Sequence, residues 1–205
     1  MIHFFKLVDK DNEILTTELE KFDFTSPPTD PIQLAKDLAE TMIAENGLGL
    51  AANQIGLPYR AFAIKAEQII VCFNPIIVDF SEEMIYLEEG CLSFPDLYVK
   101  IKRPRRIKVR YTQPNGEVVT RTYDGMTARI FQHELDHLDG IRYLDRANRI
   151  HLDQAKKNMK IAARRKNAPK PLSQQAKARH RQMMLPRSWP SALALVHTRF
   201  SRLTA

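Results

Sequence analysis

At 205 residues, with 44% apolar and 27% charged side chains, the chain suits one globular domain long enough to bury a core. Its net charge of +7 is uneven: residues 1–145 hold 16 Lys and Arg against 23 Asp and Glu, whereas residues 146–205 hold 15 basic residues, one acid (Asp153) and no glycine. Two cysteines are too few for a disulfide framework, no apolar run approaches the ~18 residues of a membrane span, and the acidic opening MIHFFKLVDKDNEILTTELEKF is unlike a leader peptide, so a cytoplasmic protein without membrane association is expected.

In chain order, Asp30-Pro31 opens a predicted helix that Asn46-Gly47 closes. Asp30 is a capping residue, Pro31 suits the first turn, and two apolar sets recur at helical spacing, Leu34, Leu38 and Met42 and Ile32, Ala35, Ala39 and Ile43. Short β-prone runs follow at 60–65, 69–73, 76–80 and 98–102, and then RIKVRYT-QPNG-EVVTRTY, a hairpin turning at Asn115-Gly116. A second helix is predicted from about Thr127 to Leu138, and a third from about His151 to Lys166, with Leu152, Ala155, Met159 and Ala162 along one side. The Pro-containing APKPLSQQ then reads as a linker. The expected fold is α+β, with mostly antiparallel β-sheets packed around a central helix. The expected organisation is a body over 1–150, a basic helix over 151–167, and a basic tail over 168–205 that reads either as a disordered extension or as a docking element.

The second helix carries the chemistry. In IFQHELDHLDGIRY, His133 and His137 stand one turn apart with Glu134 beside the first, which stacks two imidazoles on one face and adds a carboxylate. A catalytic site of this kind needs three protein ligands and an open position for water. The metzincin continuation fails at its ligand, because that position holds Tyr143, and a downstream glutamate is excluded because Glu134 is the last in the chain. Asp145 or Asp153 would make an aspartate-ligated protease, which stays open, as does a nucleic-acid-binding module with structural Zn²⁺ and a working tail.

Two upstream segments offer a better ligand. GLGLAANQIG (47–56) contains G-x-G-x-x-A, but a dinucleotide turn needs a strand before the glycines and a helix after them, and here a helix precedes and Gly56-Leu57-Pro58 interrupts. Its small residues instead suit close backbone approach, with Gln54 as the polar group delivered. In LEEGCLSFP (87–95), Cys91 sits in a turn-prone stretch, whereas Cys72, inside IIVCF, reads as a small buried hydrophobe. Beside a two-histidine motif short of a ligand, the Cys91 thiolate is the candidate.

GLGLAANQ, EGCLS and QHELDH together, in this order, resemble the three motifs of the peptide deformylases, over residues 1–150 and more loosely to Lys166, with the versions carried by bacteriophages as the nearest likeness. The resemblance implies a metallo-hydrolase that removes the N-formyl group from the N-terminal formylmethionine of nascent peptides and releases formate. It implies one divalent metal on Cys91, His133 and His137, Fe²⁺ first, with Zn²⁺, Ni²⁺ or Co²⁺ as alternatives. Glu134 becomes the acid-base group, and the Gln54 amide with the Leu92 backbone N–H become donors to the carbonyl oxygen. Gly49 aligns the substrate backbone, and Leu48, Leu87, Glu89, Met126 and Ile130 border a methionine pocket for which core packing is an equal reading. Arg129, near the same helix face, reaches either substrate or solvent. The run KIKRPRRIKVR (100–110) is expected as a solvated strand face. The family likeness also implies a monomer that meets its substrate at the ribosome through the basic C-terminal helix.

Overall fold

The computed structural model describes residues 5–167. The predicted tail 168–205 lies outside the described residues. The chain divides into two units, Met1–Ala163 and Arg164–Ala205; the second contributes only the end of the last helix to the described part.

Among the described residues, three α-helices and seven strands form in the order α1 (Pro31–Ala44), β1 (Gly49–Ala51), β2 (Ala61–Lys65), β3 (Ile69–Phe80), β4 (Met84–Cys91), β5 (Phe94–Pro104), β6 (Arg106–Thr112), β7 (Val118–Asp124), α2 (Gly125–Leu138) and α3 (Arg149–Asn167). All named strand pairs are antiparallel, in a five-stranded sheet ordered β1-β2-β3-β6-β7 and a two-stranded sheet β4-β5. The predicted α+β class is the one observed.

Strand β2 shows why the five-stranded sheet is covered on both faces. Its AFAIK run is buried at four successive positions. Side chains alternate across a strand, so Ala61 and Ala63 meet Leu34, Leu38 and Met42 of α1, while Phe62 and Ile64 pack with Ala128 and Phe131 of α2. The Phe62 and Phe131 rings meet edge to face at 5.0 Å, and each buried ring contributes about 2–3 kcal/mol. Helix α2 is buried at ten of its fourteen residues. Its Arg129 donates to Ile101 O of β5 and Ile85 O of β4, so the helix lies between the two sheets.

Asp30 caps α1 through Ile32 N. Only one of its two apolar sets is fully inside, since Ile32 and Ile43 are more than half exposed. The runs 69–73 and 76–80 are one strand, not two: Asn74 adopts a φ of +49°, the register with β6 shifts between Phe73 and Ile76, and the Asn74 side chain bonds both Phe22 N and Phe22 O. This is a β-bulge held by an asparagine. Strand β4 escaped the sequence reading, and Cys91 is its last residue rather than part of a loop. Helix α3 lays Leu152, Ala155 and Met159 against Leu97, Val99 and Ile101 of β5.

Candidate metal centre

The Sγ of Cys91 and one ring nitrogen each of His133 and His137 all lie within 4.8 Å of one another. Three elements bring them there. Strand β4 ends at Cys91, and the i, i+4 spacing on α2 puts both imidazoles on one face, 5.1 Å apart. The cysteine is then joined to β5 by a tight connection through Leu92 and Ser93, whose paired ends are Cys91 and Phe94.

The donor set fits a tetrahedral cation. Bonds of about 2.0–2.3 Å place tetrahedral ligand atoms about 3.5 Å apart, and Cys91 Sγ is 3.2 Å from His137 Nε2. His133 gives its Nδ1 to Glu89 Oε2 at 3.0 Å, which leaves Nε2 for the cage. Burial raises the Cys91 thiol, but His137 and His133 outweigh it and hold the thiol well below its usual range, as a thiolate ligand requires. By contrast, burial alone pushes the Cys72 thiol up, and that residue is fully enclosed in the core.

Glu134 is 4% exposed, beside this cage. Its Oε2 has no hydrogen-bond partner within the protein, and burial lifts the group to about 7 against the pull of His133 and His137. A carboxyl group poised there both takes and returns a proton near neutrality. Gly49 makes room for it. A Cβ at that position would sit 2.6 Å from Glu134 Cδ and 2.8 Å from its Cγ, so the glycine is required for packing as well as for backbone approach. Gly49→Ala is therefore expected to keep its metal and to lose tenfold or more in turnover, because a displacement of about 1 Å at a catalytic group is that costly. Metal analysis and a rate measurement on one sample check it.

Gln54 is buried on the 3-10 turn after β1. Its Oε1 accepts from Ala51 N at 2.9 Å, and its Nε2 donates to Ser93 Oγ at 3.1 Å and lies 3.5 Å from Cys91 Sγ. The amide is locked with its donor end toward the cage. A cavity of about 630 Å³ opens beside it, with Leu48, Gly49, Met126 and Ile130 in its wall. Leu92 and Glu89 line it too. Leu87 does not: it faces inward on β4, but four residues from Cys91 is roughly 13 Å of strand.

Glu89 is fully engaged. Its carboxylate accepts from Arg103 Nε and Nη2, Arg129 Nη1 and His133 Nδ1, and His133 and Arg103 overcome burial to hold it far below the usual carboxylate range. Arg129 thus does not reach solvent; it is 3% exposed, bonds Glu89 and two strand carbonyls, and borders the cavity. Six of the seven basic residues in 100–110 face outward, but Arg103 is 6% exposed and points in.

The rejected ligands have other work. Tyr143 is buried, donates to Leu97 O at 2.8 Å and sets its ring 5.4 Å from that of His133. Gly140, at a φ of +68°, stops α2 where a Cβ would strike the backbone of Thr16 and Thr17. Asp145 pairs with Arg142 at the surface, and Asp153 is exposed on α3. Among the described residues, Cys91, His133 and His137 are the convergent metal-ligand group.

The profile of the polypeptide deformylase family matches residues 4–153. The peptide deformylase of Agrobacterium fabrum is 39% identical over 141 residues, 66% of this chain and 83% of its own length. That of Synechocystis is 40% identical over 122 residues, 57% of this chain and 65% of its own length. Among solved structures, a peptide deformylase from Acinetobacter baumannii with Met-Ala-Ser bound aligns at a TM-score of 0.66 and 32% identity, covering 71% of this chain and 99% of that one. A profile match over well over half of the chain, joined to the convergence of Cys91, His133 and His137, settles the kinship: the chain belongs to the polypeptide deformylase family and is an enzyme that removes the N-formyl group from nascent chains.

Proposed function

We propose that deformylation runs at the Cys91, His133 and His137 cage, with Glu134 as acid-base group and with Gln54 and the Leu92 backbone N–H as donors to the carbonyl oxygen. The observation that carries this reading is the convergence of the three ligand atoms beside a buried carboxylate and a locked amide in one cavity wall. A divalent cation in the cage supplies a water acidified toward neutrality and a polarised formyl carbonyl. Glu134 takes the proton of the attacking water and passes it to the departing amine, so the formyl C–N bond breaks, a C–O bond forms, and formate and a free N-terminus leave. Gln54 Nε2 stabilises the charge that builds on the formyl oxygen. Leu48, Met126 and Ile130 enclose the methionine side chain, and Gly49, on the edge strand β1, offers main-chain pairing. The relative with Met-Ala-Ser bound holds a peptide of the kind such a reaction releases.

Fe²⁺ is the first metal of this reading; thiolate with two imidazoles also accepts Zn²⁺, Ni²⁺ or Co²⁺, and availability decides among them. The reading takes the enzyme to act as a monomer. No helix among the described residues is long and apolar enough to cross a membrane, and the reading places the enzyme in the cytoplasm where nascent chains emerge. Anaerobic purification with metal analysis, followed by a formate assay on formyl-Met-Ala-Ser, tests it. One bound cation and formate release are expected; cleavage of the unformylated peptide would point to a protease instead.

Ribosome docking belongs to the same reading. Helix α3 exposes Lys156, Lys157, Lys160, Arg164, Arg165 and Lys166, while Leu152 and Ala155 face β5. Because those apolar residues are core, removal of the whole helix would damage the body. Replacing Lys156, Lys157 and Lys160 by Gln is the cleaner change. If the helix meets RNA phosphates, ribosome co-sedimentation should fall with salt at a log-log slope of about 0.7–0.9 per phosphate. The triple variant should flatten that slope and leave turnover of a short formyl-Met peptide within about twofold. Unchanged binding at every salt concentration would dismiss the helix as the docking element.

A further inference from the structure

Behind the cage, side chains run from His133 to the surface. Glu89 Oε2 accepts a hydrogen bond from His133 Nδ1 at 3.0 Å. Arg103 grips Glu89 with Nε at 2.7 Å and Nη2 at 2.9 Å, and turns its remaining nitrogen, Nη1, to Asp136 Oδ2 at 2.6 Å. Asp136 Oδ1 then accepts from Arg146 Nη2 at 2.7 Å. Glu89, Arg103 and Asp136 are all under 7% exposed, whereas the Arg146 side chain is 47% exposed. We propose that Arg146 is a positioning residue for the metal site, acting through Asp136, Arg103 and Glu89 to fix the ring of His133.

The inference rests on the metal-site reading above. A ligating histidine binds well only when its other nitrogen is held, because that bond sets both tautomer and ring orientation. Glu89 can hold His133 only if its own carboxylate is fixed, and the Arg103 fork fixes it. The fork in turn has one free corner, which Asp136 anchors. Asp136 sits in the last turn of α2, where the negative end of the helix dipole disfavours a carboxylate. With Arg146 in place, Asp136 has two guanidinium partners. Without it, Asp136 leans on Arg103 alone, in competition with Glu89 for the same cation. As a half-exposed ion pair, Arg146 contributes little to stability by itself, so its effect should show in the cage rather than in folding.

The experiment compares Arg146→Met with Arg142→Met and the wild type, each titrated with Zn²⁺ against a chromogenic chelator. Arg142 lies beside the same short turn and, among the described residues, pairs with Asp145 at the surface, so it controls for a loosened turn. The expected result is Zn²⁺ affinity weakened about tenfold in Arg146→Met, at the low end of the 10–100-fold typical of supporting partners, and unchanged in Arg142→Met. The Co²⁺ absorption spectrum of Arg146→Met should also shift, since ring orientation alters the ligand field. Zn²⁺ affinity within twofold of wild type in Arg146→Met would overturn the proposal, and so would equal weakening in both variants. Absence of Zn²⁺ binding by the wild type would overturn the metal-site reading and the relay together.

Discussion

Cys91→Ala is expected to leave a two-histidine site that holds at most a small fraction of its metal and releases no measurable formate. Three protein ligands with one open position make a catalytic site; two leave a cation bound mainly by water and readily removed. The thiolate also carries the one negative charge among the three ligands, so its loss removes charge neutralisation as well as a bond. The polar surroundings argue that the variant will fold: Cys91 is only partly buried, and Gln54 keeps its bonds to Ala51 and Ser93. Cys72→Ala is the matched control. That thiol is enclosed in the sheet core with no polar partner, so its loss is a packing change of about 1–2 kcal/mol with full metal content and activity. Metal per chain and formate release on the same samples decide the matter. Retained metal and turnover in Cys91→Ala would move the third ligand elsewhere.

How far the sequence spoke for this site depended on how local the signal was. The i, i+4 histidines fix their own geometry, because a helix face is set by spacing alone. The Asp30 cap and the Asn115-Gly116 turn are equally local, and both are where they were expected. Cys91 required an argument by deficit, since nothing in EGCLS by itself shows that β4 ends beside α2. Strand β4 was missed because MIYLEEGC alternates weakly: Glu89 occupies an inward position where an apolar residue would announce a strand. The supporting charges were missed for the same reason. Arg103 shares the inward parity of Leu97, Val99 and Ile101 on β5, and an arginine on an apolar strand face requires buried carboxylates; that parity was the available clue. Asp136 and Arg146 had none, because their meeting depends on the stop at Gly140 and the turn after it.

Glu134→Gln separates the base from the ligands. The substitution is nearly isosteric and leaves Cys91, His133 and His137 untouched, so full metal content is expected together with a loss of 10²-fold or more in kcat/KM, the scale of positioned proton transfer. Gly49 leaves no slack around this side chain, so the amide must occupy the space of the carboxylate instead of swinging away, and the loss then reports proton transfer and not displacement. The amide presents an N–H where a lone pair is needed, and it can neither take the proton of the attacking water nor return one to the leaving amine. Glu134→Asp offers a second reading of the same site: it restores a carboxylate one methylene short of the position that Gly49 defines, and should recover only part of the rate. Metal content by elemental analysis and formate release from formyl-Met-Ala-Ser are measured on each variant. Metal lost from Glu134→Gln would make Glu134 a ligand, and full activity in a metal-loaded Glu134→Gln would require a different proton carrier.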